Sequence, residues 1–367
     1  MKTKYTLLLL LFTIFGFSQI PAGYYNTATG TGYVLKTQLY NKIKDHNDQG
    51  YNAVDNFFLA HDLDIYYEND NSILDPYSEK PTTADPYNYS PLISGDACGN
   101  YSGEGDCYNK EHVIPQSVFS QATPMRGDAH HLLPTDGRVN GFRSNYPYGI
   151  VGSSLVSQSG ITNPTLNGSK LGGNINTGVA AGYTGTVFEP IDEFKGDIAR
   201  IYFYFVTRYQ NLISGWNYDM FDGSSDKVLA DPFLQILYQW HIQDPVSQKE
   251  IDRNNAVYNY QGNRNPYVDH PEYVLSVWAV ALNTPTYTAL ANASVFPNPA
   301  NNGHVSIQSD VVLEEIDLIT INGQIIQRIA KPVAQNNTYT LENLSKGFYF
   351  LKLTADNQTT TKKLMVN

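Results

Sequence analysis

Two short segments hold most of the residues whose chemistry could matter. Residues 109–117 read NKEHVIPQS and set a carboxylate, Glu111, directly beside an imidazole, His112. In an extended segment neighbouring side chains point to opposite faces, so the two residues are expected to serve different jobs. A carboxylate suits a hard ion such as Mg²⁺ or Ca²⁺. A neutral imidazole suits a general base at physiological pH. Alone, the pair is a weak signal. Residues 126–148, RGDAHHLLPTDGRVNGFRSNYPY, add Arg126, Asp128, His130, His131, Asn140 and Arg143. Alternation of Asp128, His130 and Leu132 with Ala129, His131 and Leu133 predicts a strand that Pro134 ends. Thr135 or Asp136 can then cap a short helix on which Asn140 and Arg143, three apart, share one face.

The elements around these segments must hold them in place. With 367 residues the chain is too long for one ordinary domain. Its 41% hydrophobic and 16% charged residues are those of a folded protein. The net charge of −11 argues against a protein that coats nucleic acid, but not against an enzyme that touches a few phosphates. Apolar spacing predicts helices over 33–46, 52–61, 197–212, 232–242 and 272–282. Ser247 followed by Glu250 is a capping box that opens another helix. Residues 65–92 read as loops and short strands, 151–186 as a loop or β-excursion, and 263–271 as a polar loop. The fold class is therefore α+β up to about residue 283. After a break at 284–294 the texture becomes all-β. Asn322-Gly323 separates two β-prone runs, 316–321 and 324–329, and 348–353 and 359–366 repeat the pattern across Asp356-Asn357. Residues 295–367 read as a small β-sandwich.

The N-terminus carries Lys2 and Lys4, an apolar run over 5–17, and small residues Gly16 and Ser18, which predicts an export signal over 1–18. The run is shorter than the roughly 20 residues of a membrane-spanning helix, so no membrane span is expected. In an exported protein the two cysteines, Cys98 and Cys107, read as one small disulfide loop.

The order of a strand with Glu-His, a return strand, and a helix with Asn and Arg is that of a ββα-metal (His-Me finger) nuclease centre. The segments EHVIPQS and DAHHLLPTDGRVNGFRSN resemble the endonuclease I family of secreted bacterial nucleases. YYNTATGTGYVLKTQLYNKI and RNNAVYNYQGNRNPYVDHPEYV extend the resemblance over nearly all of 23–280, within a nuclease domain placed at 19–283. The resemblance implies that His112 deprotonates water, that Glu111 and Asn140 hold Mg²⁺ (with Ca²⁺ or Mn²⁺ as alternatives), and that an arginine meets the scissile phosphate. Arg143 and Arg126 are both candidates, Arg126 ranked slightly lower. It further implies a nonspecific endonuclease acting on DNA and often RNA, with 5′-phosphate products. Asp128, His130 and His131 are expected to brace or orient neighbours, and Arg253 and Arg264 to meet the substrate backbone or to form salt bridges in a core loop.

The tail VFPNPANNGHVSI, ENLSKGFYFLKL and KKLMVN resembles a type A sorting domain of the type IX secretion system. That implies Sec export, passage across the outer membrane by the type IX machinery and removal of the tail, giving an extracellular or cell-surface enzyme; a monomer is expected. Two rival readings are a surface-adhesion or glycan-binding protein with a degenerate nuclease fold, and a zinc hydrolase using His130 and His131. The intact Glu111, His112 and Asn140 argue against the first, and the lack of a ligand spacing such as HExxH against the second.

Overall fold

The computed structural model describes residues 20–93, 95–282, 293–301, 303–309, 311–355 and 358–367. The expected export signal, most of the expected linker and the turn at Asp356-Asn357 lie outside them. The chain divides into two compact units, Met1–Trp278 and Ala279–Asn367.

The first unit carries helices α1 (Gly32–Ile43), α2 (Val54–His61), α3 (Gly137–Arg143), α4 (Lys195–Arg208), α5 (Asp231–Gln243), α6 (Gln248–Gln261), α7 (Pro266–Asp269) and α8 (Glu272–Trp278). Its strands are β1 (Tyr108–His112), β2 (Leu132–Asp136), β3 (Val151–Leu155), β4 (Lys170–Asn174) and β5 (Thr186–Glu189). Strands β1 and β2 form a two-stranded antiparallel sheet in which Glu111 faces Leu133 and His112 faces Leu132. Strands β3, β4 and β5 form a separate three-stranded sheet within the expected excursion.

Helix α4 is the central beam. Twelve of its residues, from Gly196 to Arg208, are buried. Tyr202 donates to the carbonyl of Val113 just past β1 (3.2 Å), and the Phe205 ring lies 4.7 Å from that of His131. Helix α2 covers the other side of the hairpin, packing Val54, Phe57 and Phe58 with Tyr108, Ala129, Leu132 and Val257 of α6. The predicted capping box forms, Ser247 and Glu250 bonding reciprocally at the start of α6. Gly262 ends that helix at φ +88°, a left-handed conformation that glycine adopts without a Cβ penalty.

Two local expectations are corrected. The return strand begins only at Leu132; residues Ala129–His131 form a 3₁₀ turn, and Pro134 sits inside the strand opposite Lys110. With only two strands, both are edges, and a proline that cannot donate is tolerated there. The polar loop at 263–271 contains the single turn α7, because Asn265 caps it by accepting from the Tyr267 amide (3.0 Å) and Pro266 is pre-set for a first helical position.

The second unit is a seven-stranded sheet built from β6 (Ser294–Asn301), β7 (His304–Gln308), β8 (Glu315–Thr320), β9 (Ile325–Ala330), β10 (Thr338–Leu341), β11 (Gly347–Ala355) and β12 (Gln358–Val366). The order is β10-β7-β6-β12-β11-β8-β9, so the expected small all-β domain forms as one curled sheet whose halves are joined at the parallel pair Val366 and Ala300. The sheet curls so that Val305, Ile307 and Tyr339 share a core with Leu318, Leu351 and Leu364. Gly323 takes φ +82° in the predicted Asn-Gly turn.

Candidate active site

Strand β1 presents two faces, and each collects its own chemistry. Asn109 and Glu111 share one face, and α3 lies against it like a ladder with two rungs. Asn140 Nδ2 donates to Asn109 Oδ1 (2.6 Å), and Arg143 Nη1 donates to Glu111 Oε1 (3.0 Å). Asn140 and Arg143 are three positions apart and Asn109 and Glu111 two, so one helical turn matches one strand repeat. Asp136 fixes the start of α3 by accepting from the Val139 amide (2.7 Å). The disulfide Cys98–Cys107 closes a loop that carries Tyr101 onto the same helix. Gly137 and Gly141 leave room for that ring: a Cβ on Gly137 would lie 2.5 Å from it.

Glu111 is 2% exposed and its Oε1 accepts from Tyr77 Oη (2.9 Å) and Tyr148 Oη (3.2 Å) as well as from Arg143. Burial pushes its carboxyl upward, and Arg143 with the two phenols pulls it back. Arg143 is itself 1% exposed. It also donates to the carbonyls of His112 (3.1 Å) and Val113 (2.8 Å), and its guanidinium lies 4.5 Å from the Tyr148 ring centre.

Lys110 and His112 occupy the opposite face, where Tyr51 covers both. The His112 ring stacks on Tyr51 at 5.6 Å with an interplanar angle of 13°. Lys110 pairs with Asp55 and holds its ammonium 4.5 Å from the Tyr51 ring centre. Nε2 of His112 lies 3.1 Å from the carbonyl oxygen of Arg126. A carbonyl only accepts, so Nε2 carries the proton and Nδ1 is left as the basic nitrogen. Burial, reinforced by nearby His131, Arg126 and Lys110, pushes the His112 imidazole down to about 3, so it is neutral at physiological pH. The Arg126 guanidinium lies 4.5 Å from the Tyr51 ring centre, and its Nε is buried without a hydrogen-bond partner.

Strand β1 has β2 along one edge; on the other, Ala97 bridges Tyr108, and a cleft of about 430 Å³ opens beside them. Tyr51, Asp55 and Lys110 line it from one face of the strand, Asn109 and Asn140 from the other, with Gln116 between. The oxygen donors suit a hard divalent ion: Oε2 of Glu111 takes none of the three bonds that converge on Oε1, and the amide oxygen of Asn140 takes no part in its bond to Asn109.

The remaining sequence candidates sit in structural networks. Asp128 is fully buried and accepts from Tyr204 (2.9 Å), Tyr209 (2.8 Å), Gln261 (2.7 Å) and its own neighbour His130 (backbone, 3.0 Å). Burial alone would push it up, but His46, His130, His131 and Gln261 hold it well below the usual carboxylate range. His130 Nε2 meets the carbonyl of Asn263 (3.1 Å) and His131 Nε2 that of Met125 (2.6 Å). Neither belongs to a cluster of three metal-ligating groups among the described residues. Arg253 pairs with Asp62 (2.8 Å) and donates to the carbonyls of Ala129 and Leu132. Arg264 makes two bonds to Asp269 and is 1% exposed. The geometry thus favours the core salt bridges that were the second expectation for both arginines. Tyr51, Tyr77, Tyr148 and Asn109 were not singled out in the sequence. For Asn109, the two-residue spacing from Glu111 was the available signal.

The family model described as Endonuclease I matches residues 31–272. The model described as Secretion system C-terminal sorting domain matches residues 294–367, which marks the protein for secretion. An extracellular ribonuclease of Bacillus amyloliquefaciens is 32% identical over 269 residues, covering 70% of this chain and 78% of that protein. An endonuclease-1 of Buchnera aphidicola is 30% identical over 39% of this chain and 45% of its own length. A periplasmic deoxyribonuclease of Aeromonas hydrophila is 25% identical over 43% of this chain and 62% of its own length. No helix among the described residues is long and apolar enough to cross a membrane.

Proposed function

The chain belongs to the endonuclease I family of hydrolases acting on nucleic acids, and from that premise we propose that it is a secreted nonspecific endonuclease that uses His112 as general base. The observation that carries this reading is the contact of His112 Nε2 with the Arg126 carbonyl, beside a cleft lined by Asn109 and Asn140. Its Nδ1 takes a proton from water as the water oxygen bonds to phosphorus. The P–O3′ bond then breaks, the departing 3′-oxygen takes a proton from solvent water, and a 3′-hydroxyl and a 5′-phosphate are left. Glu111 and Asn140 are the residues that would hold Mg²⁺, which supplies Lewis-acid charge stabilisation at the phosphate. Arg126 supports a direct role at that phosphate better than Arg143 does. Its guanidinium is held by the Tyr51 face beside His112, whereas Arg143 is spent on Glu111 and two carbonyls. The relatives include both an extracellular ribonuclease and a periplasmic deoxyribonuclease, so DNA and RNA are both proposed substrates.

The test is digestion of supercoiled plasmid and of single-stranded RNA with Mg²⁺. His112→Ala is expected to lose about 10²–10⁴-fold in rate on both. Chelation by EDTA should abolish cleavage. A His112→Ala protein that cuts at the native rate sinks the mechanism, and cleavage unaffected by EDTA sinks the role of the metal.

A further inference from the structure

A second group of acids lies apart from the cleft. Asp64, Glu68 and Glu79 each bring a carboxylate oxygen within 4.8 Å of the others. Asp64 and Glu79 are each 1% exposed, while Glu68 is exposed. Such a gathering costs free energy unless something neutral or positive intervenes, because buried carboxylates repel one another and lose hydration. Among the described residues, no lysine, arginine or histidine forms an ion pair with any of the three. Asp64 is fixed in place by the amides of Tyr66 (3.1 Å), Tyr67 (2.9 Å) and Asn69 (3.1 Å). Glu79 differs: its Oε1 is buried with no hydrogen-bond partner, and its carboxyl lies against that of Glu68. Two carboxyls held together, one with a buried oxygen that lacks a donor, are completed either by a shared proton or by a cation.

We propose that Asp64, Glu68 and Glu79 form a structural calcium site distinct from the cleft beside Asn140. All three ligands are hard oxygens, with no nitrogen or sulfur to select a transition metal. Calcium takes oxygen at roughly 2.3–2.6 Å, so oxygens that share one ion stand no more than about 5.2 Å apart, a condition these three meet. Exposed Glu68 gives the ion an entry path and leaves its outer side to water. Extracellular modules hold calcium at Kd of about 10⁻⁴–10⁻³ M, which suits a secreted protein. Burial first, and then the neighbouring carboxylates of Asp85, Asp64 and Glu68, push Glu79 up to about 9, so calcium would enter by displacing a proton.

The site would pin both ends of a strap. Between Asp64 and Glu79 the chain delivers Asp75, which accepts from the Asp136 amide at the start of α3 (2.7 Å), and Tyr77, which donates to Glu111. Calcium is thereby linked to the stability of the hairpin and helix without touching substrate.

The experiment is calorimetric melting of the full chain in EDTA and in excess CaCl₂, on wild type, Glu79→Gln and Glu68→Gln. At about a hundredfold excess over Kd, calcium should raise the wild-type Tm by about 5–10 °C. The rise should shrink to about a degree in either variant. In EDTA at neutral pH, Glu79→Gln should melt no lower than wild type, since a carboxyl pushed up to about 9 is already uncharged there and Gln keeps its shape. Glu68→Gln, altered at an exposed position, carries the test if Glu79→Gln fails to fold. An equal rise in all three proteins, or none in wild type, overturns the proposal. Both glutamates lie outside the cleft, so the outcome is independent of whether His112 acts as a base.

Discussion

Two buried glutamates in one unit meet opposite fates. Glu111 and Glu79 are about equally buried, at 2% and 1% exposure. Around Glu111 the protein supplies its own cation and two phenol donors. Around Glu79 it supplies more carboxylates and leaves an oxygen unpartnered. Burial alone therefore says little about a charge; what matters is whether the neutralising partner is encoded in the chain. Glu111 is oriented from within, which suits a residue that must present its other oxygen in a fixed direction. Glu79 is completed, on our proposal, from the medium.

The comparison can be broken by removing the encoded cation. Arg143→Met strands Glu111 in the core, and breaking one partner of a buried pair costs about 3–5 kcal/mol. Urea unfolding should show that loss; a change under about 1 kcal/mol would mean that Tyr77 and Tyr148 suffice by themselves. Arg126→Ala sharpens the contrast between the two arginines. Loss of one electrostatic donor to a reacting phosphate lowers kcat by about 10²–10³-fold. Because Arg126 forms no ion pair among the described residues, its urea midpoint should stay near wild type. If instead Arg126→Ala unfolds easily and cuts normally, the assignment of the two arginines is reversed.

The smallest effect concerns a buried charge of the other sign. Lys36 of α1 is fully buried, and its ammonium donates to the Ser225 carbonyl (2.7 Å). Burial pushes it down from 10.5 to about 7, against the pull of Asp226 and Asp222. Between those two values the unfolded chain binds a proton that the folded chain does not, so this group makes stability rise with pH from about 7 to 10.5. Lys36→Met should flatten that part of the stability–pH curve. An unchanged slope would show that Lys36 keeps its charge in the fold.

Legibility in the sequence follows the range of the interactions. The Ser247–Glu250 capping box and the Asn-Gly turn at 322–323 are local and form where they are predicted. Glu111, His112 and Asn140 are legible because a hairpin and a short helix bring them together within one continuous segment. The partners of Glu111 are not, since Tyr77 and Tyr148 lie 34 and 37 residues away along the chain. Nor can spacing separate Arg126 from Arg143: one is held on an aromatic face and the other is sealed under α4, a difference made entirely by tertiary packing. Pro134 reads as a strand end because the sequence does not reveal that its strand is an edge. The acids at 64, 68 and 79 follow no repeat, and only the turns between them bring their oxygens together.

Asp128 holds a last lesson. Its carboxylate is gripped by Tyr204 and Tyr209, at the end of α4, and by Gln261, the final residue of α6. It thereby ties the turn leading into β2, and the carbonyl of nearby Arg126 that polarises His112, to residues 76, 81 and 133 positions further along. A chain emerging from its N-terminus has made the whole Glu-His segment long before it has made this clasp. If cutting depends on this clasp, it arrives only with the finished fold, and activity and protection of the α6 amides should disappear together as denaturant is raised.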